Sequence, residues 1–255
     1  MKIIVIANET FPTDQNLTLE NINEKKILNP YDEFAIQKAS EIKNHKNDEI
    51  IIFMISKSDN LYCLKTCLGL GGTSGNLIIF KGNNPKDLAA ILVKEIKKQG
   101  TFDLILTGEQ DVNNPRGDIP YMINSLLDVP LISHCLDIHY SNNKLICKKE
   151  TDDFLEEISI NLPCIISFRK NVYEPKYPSI NDIMSINEKP IFLNYYNKSE
   201  NNLYLKLKIY NVKRQNKIYK NIDSDKAVKK ISTYLDEWGL NGGLYEYINL
   251  FKSKK

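Results

Sequence analysis

The sequence predicts an α/β protein: a doubly wound parallel sheet with an antiparallel meander at one edge and a C-terminal extension. Three observations carry this reading. Short, nearly continuous apolar runs at Lys2 to Ala7, Ile50 to Ile55, Leu77 to Phe80 and Leu104 to Leu106 suit strands buried on both faces. Amphipathic stretches alternate with them, as right-handed crossovers between parallel strands require. From Leu131 onward the rhythm changes to short runs broken by polar turns.

Each element has its own warrant. Lys2 to Ala7 reads as a central strand, and Asn8 to Glu24, polar and containing Pro12, reads as a long loop. Asn29-Pro30-Tyr31-Asp32-Glu33 opens a helix, with Asn29 at the cap and Asp32 favoured in the first turn by the helix dipole. Phe34, Ala35, Ile36, Ala39 and Ile42 are its buried stripe. After the second strand, Ser56 to Asn60 forms a loop, and Leu61, Leu64 and Leu68 mark a helix ending near Gly69. Asn84 and Pro85 open the next helix, which runs to Lys98 and stops at Gly100.

Leu104 to Leu106 is the fourth strand, followed by the loop Glu109 to Gly117. A helix over Asp118 to Leu127 comes next, with Pro120 tolerated in its first turn. Ser133–Tyr140, Lys144–Lys149 and Phe154–Ile160 form the meander, and Cys164 to Phe168 is a further strand. The prolines between Arg169 and Pro178 forbid regular structure there, and Ser179 caps a helix bearing Ile180, Ile183, Met184 and Ile186. Beyond Pro190 the chain is rich in Asn, Lys and Tyr. Leu203 to Tyr210 reads as an exposed strand. Ser224 reads as the cap of a helix with Ala227, Val228, Ile231, Leu235 and Trp238 on one face. Residues 1–192 are therefore expected to be the α/β domain and 193–255 a polar extension.

Composition excludes several classes. The chain of 255 residues is 42% hydrophobic and 26% charged, which suits a globular protein with a full core. Its net charge of +2 gives no bulk field for nucleic acid, and the lysines between Lys206 and Lys230 read as a solvated face. No window approaches the length of a membrane span. The five cysteines, Cys63, Cys67, Cys135, Cys147 and Cys164, are an odd number without metal-ligand spacing. They read as buried small hydrophobes in a reducing compartment, so the expected location is the cytoplasm.

No catalytic set is visible. His45, His134 and His139 share no metal-ligand spacing, and GxSxG, HExxH and P-loop signatures are missing. The run Gly69-Leu70-Gly71-Gly72-Thr73-Ser74-Gly75 lies between a helix and a strand, at the wrong end of the sheet for ligands, and reads as a connection. The better site lies at the carboxyl edge, where such sheets bind ligands. Backbone groups after Ile6-Ala7 and Ile55-Ser56 suit a planar base. The loop Glu109 to Gly117 and the helix start at Asp118-Ile119 suit phosphates, with Arg116 offering a fork of charge-assisted bonds. On periodicity alone, an ordinary polar loop remains open.

Three motifs carry a resemblance. Asn29-Pro30-Tyr31-Asp32-Glu33-Phe34-Ala35, Leu106-Thr107-Gly108-Glu109-Gln110, and Tyr173-Glu174-Pro175-Lys176-Tyr177-Pro178-Ser179-Ile180-Asn181-Asp182-Ile183-Met184 resemble, in order and spacing, the beta subunit of electron transfer flavoprotein. The resemblance implies an adenine nucleotide alpha hydrolase-like sheet and a heterodimer with an alpha subunit that holds the redox-active FAD. This subunit would bind AMP or a second FAD. By position, Ile6, Asn29, Tyr31, Asp32, Lys57, Gly108, Asp111, Asn114, Arg116, Gly117, Asp118 and Ile119 would surround that nucleotide. The loop before the Asn171–Met184 region resembles one that docks flavin-dependent dehydrogenases. Electrons would pass from such a partner to a quinone reductase, ferredoxin or another acceptor. This chain would add no acid, base or nucleophile of its own.

The loop after Gly108 departs from that family pattern. The family's aspartates are replaced, its glutamine is Asp118, and its glycine is Pro120, which lacks a backbone donor. Three outcomes follow: an AMP site in which Arg116 replaces lost contacts, an FAD site in which Gly117 leaves room for the flavin, or a nucleotide-free scaffold. A free-standing adenine-nucleotide enzyme is a further reading, disfavoured because no SGGxDS-like loop follows Ala7. The amphipathic helix after Ser224 is expected to pack on the alpha subunit.

Overall fold

The computed structural model describes residues 1–12, 26–43, 45, 47–112, 117–141, 144–151, 153–169, 177–197 and 219–237. The expected strand at Leu203–Tyr210, Trp238, and the site residues Asn114 and Arg116 lie outside them. The chain divides into two compact units, Met1–Tyr204 and Leu205–Lys255.

The first unit is built on one sheet whose strands are β1 (Lys2–Thr10), β2 (Ile27–Leu28), β3 (Glu49–Ser56), β4 (Ser74–Phe80) and β5 (Leu104–Gly108), then β6 (Leu131–Ser141), β7 (Lys144–Glu150), β8 (Leu155–Ile160), β9 (Cys164–Phe168) and β10 (Ile191–Tyr196). Its helices are α1 (Pro30–Ile42), α2 (Tyr62–Gly69), α3 (Pro85–Lys98), α4 (Asp118–Leu127) and α5 (Ile180–Ser185). The strand order is β10-β4-β3-β1-β5-β9-β6-β7-β8, with β2 paired to β1. From β10 to β6 all neighbours along this path are parallel, and β7 and β8 add the antiparallel meander.

Alternation along the strands separates two cores. Ile3, Val5, Ile52, Met54, Leu104, Leu106, Ile166 and Phe168 pack with Phe34, Ala35 and Ile36 of α1 and with Leu64 and Leu68 of α2. Ile4, Ile6, Ile51, Phe53, Ile105 and Ile165 pack on the other face with Leu92 and Ile96 of α3 and Ile123 of α4. Helices thus cover both faces, which is why the central strands are apolar at every position rather than at every second one. The ring of Phe34 meets that of Phe168 edge-on at 5.1 Å, tying α1 to β9.

The chain winds outward from β1 through α1 to β3 and through α2 to β4. After α3 it crosses back to β5, on the opposite side of β1. The reversal between β1 and β5 makes their carboxyl ends the topological switch point, where sheets of this kind bind ligands.

Several boundaries differ from the sequence expectation. β1 runs to Thr10 because Asn8 pairs with Ile55 of β3, and Glu9 and Thr10 pair with Leu28 and Ile27 of β2. β10 spans the expected boundary after residue 192 and lies parallel beside β4. The glycine-rich run after α2 is a tight connection at the amino edge, where Gly71 has φ +132° and the Gly72 N–H donates to the Cys67 carbonyl at 3.2 Å. Ser179 caps α5 reciprocally with Asp182.

In the second unit, α6 (Ser224–Glu237) begins at Ser224 itself, with the Ala227 N–H donating to the Asp223 carbonyl. Ser224 is therefore the first helical residue rather than the cap. None of the helix is buried, and Val228 and Ile231 stand exposed. Among the described residues no helix is long and apolar enough to cross a membrane.

Candidate functional site at the carboxyl edge

The switch-point edge is organised by one buried carboxylate. Asp32, in the first turn of α1, accepts the backbone N–H of Asn8 at 2.8 Å and that of Gly108 at 2.9 Å. It also accepts the Asn29 amide at 2.9 Å. Burial is the largest influence on this carboxyl and raises it to about 7, against three hydrogen bonds that favour the charged form. Sequence reasoning placed Asp32 in the first turn of α1, where it lies, and by resemblance at the nucleotide. The structure assigns its carboxylate to the ends of β1 and β5.

Asn29 is fully buried at the cap of α1, where its side chain makes no cap bond. Instead its amide donates to Asp32 and to the Gln110 carbonyl at 3.0 Å. The Gln110 side chain in turn donates to the Tyr31 hydroxyl. Both amide hydrogens of Asn29 are thus spent, while its Oδ1 has no hydrogen-bond partner. A buried acceptor without a donor is costly unless a ligand or water supplies one.

The other expected residues that the structure describes take places along the same edge. Ile6 sits beside Thr107 in the β1–β5 pairing and faces the core under α3 and α4. Lys57 follows β3, donates its backbone N–H to Glu9 at 3.4 Å and extends its amine to Asn83 at 2.9 Å. Asp111 lies just beyond Gly108 and adds a like charge near Asp32. Gly117 is the N-cap of α4 with φ +64°, and Asp118 and Ile119 open that helix. A Cβ on Gly117 would stand 2.4 Å from the Glu109 carbonyl, so its glycine is required by the loop's own backbone. Room for a flavin is not needed to explain it.

Sequence reasoning missed two participants. Glu9, buried at the end of β1, pairs with Lys26 and accepts the Ser56 hydroxyl at 2.7 Å. His134, at φ +58° in an irregular stretch of β6, meets Glu109 with its Nδ1 2.9 Å from the carboxylate. Their separation of 25 positions leaves no local signal. Gln110 was visible only as a motif member. Among the described residues no cluster of His, Cys, Asp or Glu suits a metal ion.

The arrangement can hold a flat polar ligand. It offers a buried acceptor at Asn29, strand-end backbone groups, and the N–H groups of Asp118 and Ile119, which have no intrahelical acceptor. Fold and site together define a doubly wound protein with a buried hydrogen-bond network at its topological switch point. A family model described as "Electron transfer flavoprotein domain" matches residues 16–191. The chain is 26% identical over 200 residues to electron transfer flavoprotein subunit beta of Bacillus subtilis, covering 75% of this chain and 77% of that protein. It is 28% identical over 201 residues to the caffeyl-CoA reductase-Etf complex subunit CarD of Acetobacterium woodii, with 75% and 77% covered. To the mouse subunit beta it is 26% identical over 173 residues, covering 66% and 68%. The chain belongs to the electron transfer flavoprotein beta subunit family, a family of flavoproteins in electron transport.

Proposed function

We propose that this chain is the beta subunit of a heterodimeric electron transfer flavoprotein and holds AMP or a second FAD at the β1–β5 switch point. The observation that carries the reading is the unpartnered Oδ1 of buried Asn29. An adenine amine or a ribose hydroxyl is a donor of the right kind for it. The Asp32 bonds hold Gly108 and Asn8 in place, Gln110 braces Tyr31, and the amino end of α4 faces the phosphate. Bound flavin supplies one- and two-electron redox chemistry. This chain's own residues bind, orient and exclude water.

Two surfaces suit the protein partners of this reading. Tyr177, Ile180, Ile183 and Met184 are exposed around α5, in the region that follows the loop resembling a dehydrogenase-docking element. The stripe of Val228 and Ile231 on α6 suits an alpha subunit. A flavin-dependent dehydrogenase is the electron donor, and a quinone reductase or ferredoxin is the class of acceptor. The cytoplasm is the compartment that suits five unpaired, buried thiols.

The test is to purify this chain with the products of its neighbouring genes, denature the complex and identify the released nucleotides by mass spectrometry. One FAD and one AMP per heterodimer make it a simple carrier, and two FAD make it the bifurcating type. A second reading, a nucleotide-free scaffold, is favoured by Pro120 and Asp118, which remove a donor and add a negative charge at α4. Recovery of no second nucleotide would establish that alternative.

A further inference from the structure

Ser167 is 1% exposed, and its hydroxyl has no hydrogen-bond partner. It lies in β9, beside Thr107 of β5 in the parallel register. Two residues earlier, Ile165 packs in the core beneath α3 and α4. Strand alternation therefore puts Ser167 on that same face, one step nearer the carboxyl edge. The helix covering this part of the sheet is α4, whose Ile119 and Met122 pack against the core that contains Ile165. α4 follows β5 and so begins at the carboxyl edge, and it packs against β9, the strand that ends just after Ser167.

The two hydroxyls on this face differ. Thr107 donates its hydroxyl to the Gly108 carbonyl at 3.0 Å, so its bonding need is met within the protein. Ser167 has no such outlet. A buried hydroxyl without a partner destabilises the fold that contains it, and here it lies near the end of the strand against which α4 packs. That end has Gly117 as its N-cap, without a side-chain cap bond. Pro120 contributes no N–H, so the first turn brings fewer backbone donors than usual. A hydroxyl rising from the sheet supplies a donor in their place.

We propose that Ser167 is a ligand-binding residue of the nucleotide site, donating its hydroxyl to a phosphate oxygen seated on the amino end of α4. The assignment rests on the nucleotide reading above and adds the residue that compensates for Pro120. It makes Ser167 a determinant of phosphate recognition rather than of the base or sugar.

The experiment uses the full chain, freed of nucleotide, with AMP and adenosine titrated calorimetrically into the wild type, Ser167→Ala and Ser167→Thr. Loss of one hydrogen bond to a charged group should weaken AMP binding by Ser167→Ala roughly tenfold or more. Adenosine binding should be unchanged, and Ser167→Thr should retain AMP. The nucleotide-free melting temperature of Ser167→Ala should equal or exceed that of wild type, because an unsatisfied hydroxyl has been removed. Equal AMP affinity in wild type and Ser167→Ala overturns this assignment alone, as does a lowered melting temperature of nucleotide-free Ser167→Ala. Failure of the wild type to bind AMP, or FAD titrated in the same way, overturns the nucleotide reading and the assignment with it.

Discussion

The Asp32 carboxylate accepts the N–H of Gly108, 76 residues away in sequence, at 2.9 Å, and its second oxygen accepts the N–H of Asn8 at 2.8 Å. One side chain at the head of α1 thereby closes the ends of the two strands between which the sheet reverses. Asp32→Ala leaves both N–H groups without that acceptor and frees the Asn29 amide, so a loss of about 2–4 kcal/mol in folding stability is expected. Asp32→Asn rescues only in part, since its own N–H2 faces a backbone donor. Urea denaturation of the three proteins, with nucleotide content measured in parallel, checks both statements.

The same carboxyl predicts a pH dependence. Its folded value is raised to about 7 by burial, while in the unfolded chain it titrates near the ordinary value of 3.8. Between those values the folded state holds the extra proton, so the stabilisation is full below about pH 4 and is lost as pH rises through 7. The expected loss is on the order of 4 kcal/mol. Stability measured across that range should fall for wild type more steeply than for Asp32→Ala. A steeper fall in the variant would assign the titration to another group.

The sheet was legible because its strands are apolar at every position, a pattern that only burial on both faces produces. Where the sequence misled, polar residues stood in strands. Asn8, Glu9 and Thr10 look like loop but extend β1, because they pair with β3 and with the two-residue β2. β10 was hidden for a different reason: its partner, β4, lies more than a hundred residues earlier. At the site, Asn29, Tyr31, Asp32 and Gly108 were marked by motifs; the structure joins Asn29 to Gly108 through Asp32, and Asn29 to Tyr31 through Gln110. The His134–Glu109 pair and the isolation of the Ser167 hydroxyl depend on strand order, which no local pattern encodes.

Lys38 offers a test of how the α1 side of the sheet is held. Its amine is nearly buried and lies 2.7 Å from both Glu41 and Asp137, tying α1 to an irregular turn of β6. Removing the cation leaves two carboxylates without their shared counter-charge. Lys38→Ala should cost about 3 kcal/mol, whereas Lys38→Met, which keeps the packing of the stem, should cost less. Thermal unfolding of the two variants separates charge from packing.

Glycine substitutions distinguish close approach from backbone conformation. A Cβ on Gly108 would stand 2.5 Å from Asp32 Oδ1, 2.6 Å from Tyr31 Cβ and 2.9 Å from the Tyr31 backbone. The first turn of α1 would have to move, taking with it Tyr31, Asp32 and the bond to Gln110. Gly108→Ala should therefore destabilise by at least about 2 kcal/mol and abolish nucleotide retention. Gly100 provides the contrast, with φ +79° but open space where a Cβ would lie. Gly100→Ala should cost only about 1 kcal/mol, the strain of a left-handed residue, and leave nucleotide content intact. Equal nucleotide content in the two variants would mean that the contact between Gly108 and α1 does not shape the site.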